Sequence, residues 1–192
     1  MFRKSFHVKS NIQLKSSEKR KLRERLCAAL SGVDIGLFDL LEGAFSNKGD
    51  LKQLKAVAHT QQAVSIFVSK SVPFVFETEE TLVPSLYLLW MLPNAVHTFL
   101  IHESTYKFLE SGADVMLPGL LGVVVSGQPR FHELGEIDRG AVCAVSLLSA
   151  DGESVKGPVA VGCTFVSSQE MVASGMKGKG VQVLHLFRDS LW

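Results

Sequence analysis

Apolar positions recur with two periods along the chain, and the change of period divides it. Leu22, Leu26, Ala29 and Leu30 fall at i, i+4, i+7 and i+8, one stripe of a helix. Ser16 and Ser17 are candidate N-caps for a helix starting near Glu18, and Gly32 is a candidate C′ residue. Asp34 is placed to cap a second short helix with Leu37, Leu40 and Leu41 inward and Gly43 at its end. Ahead of both, Phe2, Phe6 and Val8 predict a short opening strand with Arg3 and Lys4 interleaved. Further on the period falls to two. Residues 54–59, 63–68 and 72–77 are β-rich runs separated by the turns TQQ and SKS, and Val64, Ile66 and Val68 share one face. This pattern predicts an antiparallel meander. The apolar run after Pro84 reads as a buried helix, with Pro84 near its first turn and Pro93 stopping it.

A domain boundary is expected near 93–97. Beyond it the pattern predicts a strand (98–102), a helix (103–110) and a glycine-rich passage, Ser-Gly-Ala-Asp-Val-Met-Leu-Pro-Gly (111–119). Two β-branched runs follow (141–148 and 159–165), then a short helix near 168–174. The loop Gly175-Met-Lys-Gly-Lys-Gly180 leads into a last strand over 181–187. Short strands, few helices and frequent glycine turns predict a small, partly closed barrel in the second half.

The chain has 192 residues, 46% hydrophobic and 20% charged, the balance of a folded globular protein with its own core. Its net charge of +1 hides an asymmetry. Residues 1–25 carry nine cations (Arg3, Lys4, Lys9, Lys15, Lys19, Arg20, Lys21, Arg23, Arg25) against Glu18 and Glu24, a net +7, so the remainder carries −6. A basic block on a mildly acidic body points one face at a polyanion; the bland alternative is a solvated helix face. Residues 1–25 are too polar for a signal peptide, and the run from Leu82 to Met91 is too short to span a bilayer. A soluble, cytoplasmic protein without membrane contact is expected.

Three dispersed cysteines, Cys27, Cys143 and Cys163, form no CxxC pair and read as reduced core thiols. The six histidines have no HxxxH spacing, so no metal is expected. There is no GxSxG elbow, and Glu77-Thr-Glu-Glu80 reads as a strand-to-helix turn rather than an acid–base pair. The loop 175–180 is not a phosphate-binding GxxxxGK[ST] and precedes a strand, which argues against a nucleotide cofactor. No cofactor and no catalytic residue are expected.

The order of the glycine features is more specific than any one of them. Glu110-Ser-Gly-Ala-Asp-Val-Met-Leu-Pro-Gly-Leu, Ile137-Asp-Arg-Gly-Ala-Val-Cys, Gly157-Pro-Val-Ala-Val-Gly-Cys and Lys177-Gly-Lys-Gly-Val-Gln-Val-Leu-His-Leu resemble, in order and spacing, a PUA domain, a small RNA-binding pseudo-barrel. In the first half, Phe6-His-Val-Lys-Ser-Asn, Lys19-Arg-Lys-Leu-Arg and the Pro84 segment, with the closing Ser190-Leu-Trp, resemble the N-terminal region of the ligatin family, the 2D-type eukaryotic translation initiation factors. The malignant-T-cell-amplified proteins are similar in layout but less so in these segments. The longer hairpin at 151–157 and the Gln61-Gln62 turn, where a Gly/Asp pair is expected, depart from the pattern.

The resemblance implies an α+β chain: an N-terminal α/β pre-PUA domain with an antiparallel sheet (1–94), then a PUA pseudo-barrel (95–192). It implies a non-enzymatic module that binds the small ribosomal subunit, helps place tRNA in the P site without a GTP-dependent carrier, and assists recycling of post-termination complexes. It implies further C-terminal domains in a longer protein, and these count among the partners. The rRNA is assigned to the nine cations of the basic block, and the tRNA acceptor end to Gly112, Ala113, Asp114, Met116, Gly119, Lys177 and Lys179. The bland reading makes Met116 and Leu117 core and the lysines solubilising. Two alternatives stay open: the RNA-binding appendage of an RNA-modifying enzyme, and a protein–protein adaptor for the missing domains.

Overall fold

A computed structural model describes residues 1–30, 45–46, 49–79 and 81–191. The expected second short helix after Asp34 and the C′ position of Gly32 lie outside these residues.

The first half builds a five-stranded antiparallel meander in sequence order: β1 (His7–Gln13), β2 (Leu51–Val57), β3 (Ala63–Ser69), β4 (Val72–Thr78) and β5 (Thr81–Pro84). Residues 2–6 do not form the expected opening strand. Phe2 is instead fully buried, and β1 starts at His7. The β3–β4 hairpin turns on Lys70 and Ser71, both in the left-handed region, as a two-residue hairpin requires. Gln61 also has a φ of +66°, which is why a Gly or Asp fits the pattern there better than Gln.

Helix α1 (Ser16–Ala29) covers one face of the meander, burying Leu22 and Leu26, with Leu30 just beyond. It starts two residues before Glu18, with Lys15 at the N-cap, so Ser16 and Ser17 are its first helical residues and not its caps. Glu18 is the N3 residue, and its carboxylate accepts the Lys15 backbone N–H at 2.8 Å. Arg25 reaches Glu77, whose strand partners are Ser65 and Leu82, so α1 lies on that face. The opposite face carries Phe76 toward the second half, edge-on to Phe2 at 5.1 Å. Helix α2 spans Leu86–Met91. Pro84 is not in its first turn but ends β5. Ser85 caps the helix, its hydroxyl accepting the Leu88 N–H and donating to the Pro73 carbonyl. Leu86, Leu88 and Leu89 are buried, while Met91 and part of the Trp90 ring are exposed, so the helix is not buried all round.

The second half is a curled seven-stranded sheet in the order β7-β12-β11-β10-β6-β8-β9. Its strands are β6 (His97–His102), β7 (Val115–Met116), β8 (Leu120–Val125), β9 (Gln128–Phe131), β10 (Val142–Leu148), β11 (Val155–Thr164) and β12 (Lys179–Leu186). All pairs are antiparallel except β6–β10. The β8–β9 hairpin was not expected. Its Ser126-Gly127 turn, with both φ positive, joins Val125 to Gln128, and Pro129 is tolerated because β9 is an edge strand. A 3₁₀ turn (Glu103–Thr105) leads into α3 (Tyr106–Glu110), and α4 (Ser168–Ala173) opens on a Ser167–Glu170 capping box.

One core fills the barrel around Phe99, Leu117, Val145 and Met171. A second core fills the meander and continues across the seam to Ala144, Val161, Leu184 and Leu191. The two halves thus share apolar surface, fastened by Trp90 Nε1 donating to Pro158 O at 2.8 Å and Ser190 N to Phe2 O at 2.8 Å.

Candidate nucleic-acid interface

The basic block does not form a single face. On α1, Arg20, Lys21, Arg23 and Arg25 are exposed, as expected of positions off the leucine stripe. Lys19 is not. It is 2% exposed, and its Nζ donates to the carbonyls of Ser46 at 2.9 Å and Gly49 at 2.7 Å. The reason is periodic: Lys19 stands three residues before Leu22 and seven before Leu26, on the inward stripe itself. That spacing was the signal available in the sequence, and the charge of Lys19 obscured it. Lys19 therefore leaves the set of RNA-facing cations.

Ser16, Ser17, Arg20, Arg23 and Phe45 line a cleft of about 430 Å³ at the start of α1. Arg20 pairs with Glu24 at 3.6 Å, both side chains more than two-thirds exposed. An exposed i,i+4 pair is worth only about 0.3–0.5 kcal/mol, so a phosphate can displace it. Arg25 is held by Glu77. Lys4, Lys9 and Lys15 are exposed, Lys9 as the extra residue of a bulge in β1. Arg3 is exposed as well but lies elsewhere, against the second domain.

The glycine-rich passage and the glycine–lysine loop do meet. After α3, Gly112 takes a φ of +94°, and the N–H groups of Gly112 and Ala113 return to the carbonyls of Leu109 and Phe108 at 2.8 and 2.9 Å. β7 then pairs with β12, Met116 opposite Lys179, and Leu117 N donates to Gly178 O at 2.9 Å. Leu117 is core at 1% exposure, whereas Met116 is 47% exposed, so the bland reading holds for one and not the other. Lys177 is exposed. Lys179 is also exposed but ion-paired: its Nζ is 2.9 Å from Asp114 Oδ2 and lies 5.5 Å above the Phe165 ring centroid. Asp114 Oδ1 also accepts the Val183 N–H at 3.4 Å. Asp114 thus orders the loop and spends part of the charge of Lys179. A Cβ on Gly119 would meet only open space, so no close approach within the chain demands that glycine.

Beside the loop opens an apolar cleft of about 320 Å³, lined by Ile101, Phe108, Leu109, Ala113, Met116 and Gly119 among others. Phe108, 55% exposed, was missed from sequence. Its neighbour Leu109 turns inward, and only that alternation in a one-turn helix marks Phe108 as outward-facing. Lys107 Nζ lies 5.2 Å from the Phe108 ring centroid.

On the other side of the same loop a smaller cleft, about 180 Å³, is shared between the domains and includes Arg3, His59, Gly112, Ala113 and Asp189. The Arg3 guanidinium takes the space in front of Gly112. A Cβ there would stand 1.6 Å from Nη1.

The buried acid–base groups are structural in their contacts. His185, 1% exposed, sets Nδ1 at 2.9 Å from both oxygens of Asp189, which also accept the N–H groups of Leu186 and Leu191. The pair sits among Phe2 and Phe76, and among the described residues His185 Nε2 has no hydrogen-bond partner. Burial pushes the Cys143 and Cys163 thiols up, the reverse of an activated nucleophile. Cys143 is fully buried, while Cys27 and Cys163 are half-buried. Among the described residues no helix is long and apolar enough to cross a membrane.

Two families of known proteins match the chain, one in each half. Residues 2–93 match the family "Pre-PUA-like domain", and residues 96–190 the family "elF2D, PUA domain". The chain is 38% identical over 192 residues to eukaryotic translation initiation factor 2D of Oryctolagus cuniculus, covering 100% of this chain and 31% of that protein. The Homo sapiens protein is 37% identical over the same span, of which this chain covers 30%. Translation machinery-associated protein 20 of Schizosaccharomyces pombe is 26% identical over 96% of this chain and 92% of its own length. Among solved structures, a PUA domain protein from Aeropyrum pernix aligns over 97% of this chain and 90% of its own, with a TM-score of 0.62 and 25% identity. A Pyrococcus horikoshii protein shares the fold at a TM-score of 0.61 and 18% identity, over 95% of this chain and 98% of its own. The chain spans about a third of the length of the initiation factor 2D relatives it matches.

Proposed function

We propose, because the chain belongs to the initiation factor 2D family through its pre-PUA-like and PUA domains, that it is a non-enzymatic RNA-binding module of a translation factor. It binds the small ribosomal subunit, helps place tRNA in the P site without a GTP-dependent carrier, and assists recycling after termination. The observation that carries this reading is an apolar cleft built by an ordered glycine loop, with Phe108 and Met116 exposed at it, next to a second glycine loop that is bonded to the first through Leu117 N and Gly178 O and carries the exposed cation of Lys177. An unstacked RNA end offers a base for such a cleft and phosphates for such a cation. The exposed cations of the first domain (Lys4, Lys9, Lys15, Arg20, Lys21, Arg23) supply sequence-independent attraction for rRNA. Trp90 and Met91, 41% and 47% exposed at the domain seam, offer a docking surface for the rest of the longer protein.

The test uses small subunits carrying P-site tRNA, intact or trimmed of its CCA end. Trimming and Lys177→Ala should each weaken tRNA-dependent binding, and together should cost little more than either alone. Equal binding to trimmed and intact tRNA removes the acceptor end from this site and leaves the rRNA as the ligand of the PUA surface.

A further inference from the structure

We propose that the first domain completes the RNA-end site. Arg3, with His59 beside it, forms a phosphate subsite on the far side of the glycine loop from the apolar cleft. This deepens, and rests on, the RNA-end reading above.

The first argument is unspent charge in a fixed place. Arg3 has five N–H donors, and among the described residues they make no hydrogen bond or ion pair. The residue is nevertheless held. Phe2, its neighbour, is fully buried against Phe6, Phe76 and His185, and its carbonyl accepts the Ser190 N–H at 2.8 Å. The guanidinium then occupies the space left by the missing Cβ of Gly112. A planar fork with free donors, anchored at its base, is preorganised for a phosphate.

The second argument concerns the opposing charge. Asp189 is the carboxylate of this cleft, and its oxygens are engaged by His185 and by the Leu186 and Leu191 N–H groups. The hydrogen-bonding capacity of Asp189 is therefore taken up by the imidazole and the main chain, and none of these bonds comes from Arg3. His59 is exposed and adds a second nitrogen donor to the rim.

The third is adjacency. Leu109 and Ala113 line both clefts, one on each side. A nucleotide whose base enters beside Phe108 and Met116 brings a phosphate to the Arg3 side across one thickness of chain. Arg3 is thus separated from the α1 cations in role: it belongs to the RNA end, not to the rRNA face.

The experiment uses this chain and a labelled single-stranded RNA hexamer ending in CCA, titrated by anisotropy between 50 and 200 mM KCl. Arg3→Gln should weaken binding on the order of tenfold and flatten the log K against log salt slope by about 0.7. Arg3→Lys should keep the slope and lose part of the affinity. A hexamer with a methylphosphonate at one of its last two phosphates should bind the parent protein as weakly as the normal hexamer binds Arg3→Gln, and combining the two should add little. The methylphosphonate arm needs no folded variant. Parent-like affinity and slope in Arg3→Gln, with no methylphosphonate effect, overturn the subsite and leave the RNA-end reading standing. Affinity lost at an unchanged slope makes Arg3 a packing residue and also overturns it. Failure of the parent to bind the hexamer at all sinks both readings together.

Discussion

Arg3 and Gly112 exclude each other's side-chain space: the guanidinium stands where a Cβ on Gly112 would be, 1.6 Å from Nη1. A contact between the first glycine of the barrel and the third residue of the chain ties the two domains at the loop that is proposed to grip RNA. Gly112 is also held at a φ of +94°, so a substitution there meets backbone strain as well as the guanidinium, which stands at the end of a flexible side chain.

Those costs can be separated. Gly112→Ala should destabilise the protein by roughly 1–3 kcal/mol, from left-handed strain plus displacement of the guanidinium. In an Arg3→Ala background the same change should cost less, because only the strain remains. Urea unfolding of the four proteins gives the coupling directly. A strictly additive cycle would show that Arg3 moves aside freely.

Lys19 and Lys21 are two residues apart and should behave oppositely. Lys19→Ala leaves the Ser46 and Gly49 carbonyls without their charged donor and should cost about 1–3 kcal/mol. Lys21→Ala, at an exposed position, should stay within about 0.5 kcal/mol of the parent. Equal unfolding midpoints for the two variants would remove the structural role of Lys19.

Salt dependence reads out the remaining helix cations. Reversing Arg20, Lys21 and Arg23 to Glu should flatten the log K against log salt slope for small-subunit binding by roughly 0.7–0.9 per lost phosphate contact. Leu22 and Leu26 stay buried, so the fold should survive. An unchanged slope in the folded triple variant rules out this face as the rRNA contact.

Phe108 should matter to binding and not to folding. With 55% of its surface exposed, Phe108→Ala should leave stability nearly unchanged. Affinity for an RNA end should fall by about 1–3 kcal/mol if a base stacks there. Loss of stability without loss of affinity would reassign it to packing.

His97 should make stability pH-dependent. Burial pushes its imidazole below the usual value of 6.5, opposed by a backbone hydrogen bond to Leu134. The unfolded chain therefore takes up this proton first on acidification. The corresponding stability is complete above about 6.5 and is lost as pH falls through the lower folded value. Urea unfolding at pH 8 and pH 5.5 should show a smaller drop in His97→Leu than in the parent; an identical drop would assign the dependence to other groups.

Local periodicity decided much of this molecule. The stripe Leu22, Leu26, Leu30 and the alternation of Val64 and Ile66 act over one or two turns or one strand, so α1 and the meander were legible without any tertiary contact. The order of the glycine motifs placed the barrel through its resemblance to a PUA domain, and the left-handed turn at Gly112 is of a kind that few residues tolerate. What the sequence could not decide are pairings across long separations. Asp114 meets Lys179 at 65 residues' distance and Lys19 meets Gly49 at 30, so cations that look alike along the chain end with different duties. The β8–β9 hairpin hid behind Pro129, which only an edge position excuses. Phe108 and Arg3 acquired their places from which side of α3 and of the loop the barrel left open. A charge or an aromatic ring has its energy set by its surroundings, not by its neighbours in sequence, and those surroundings exist only once the two sheets have packed.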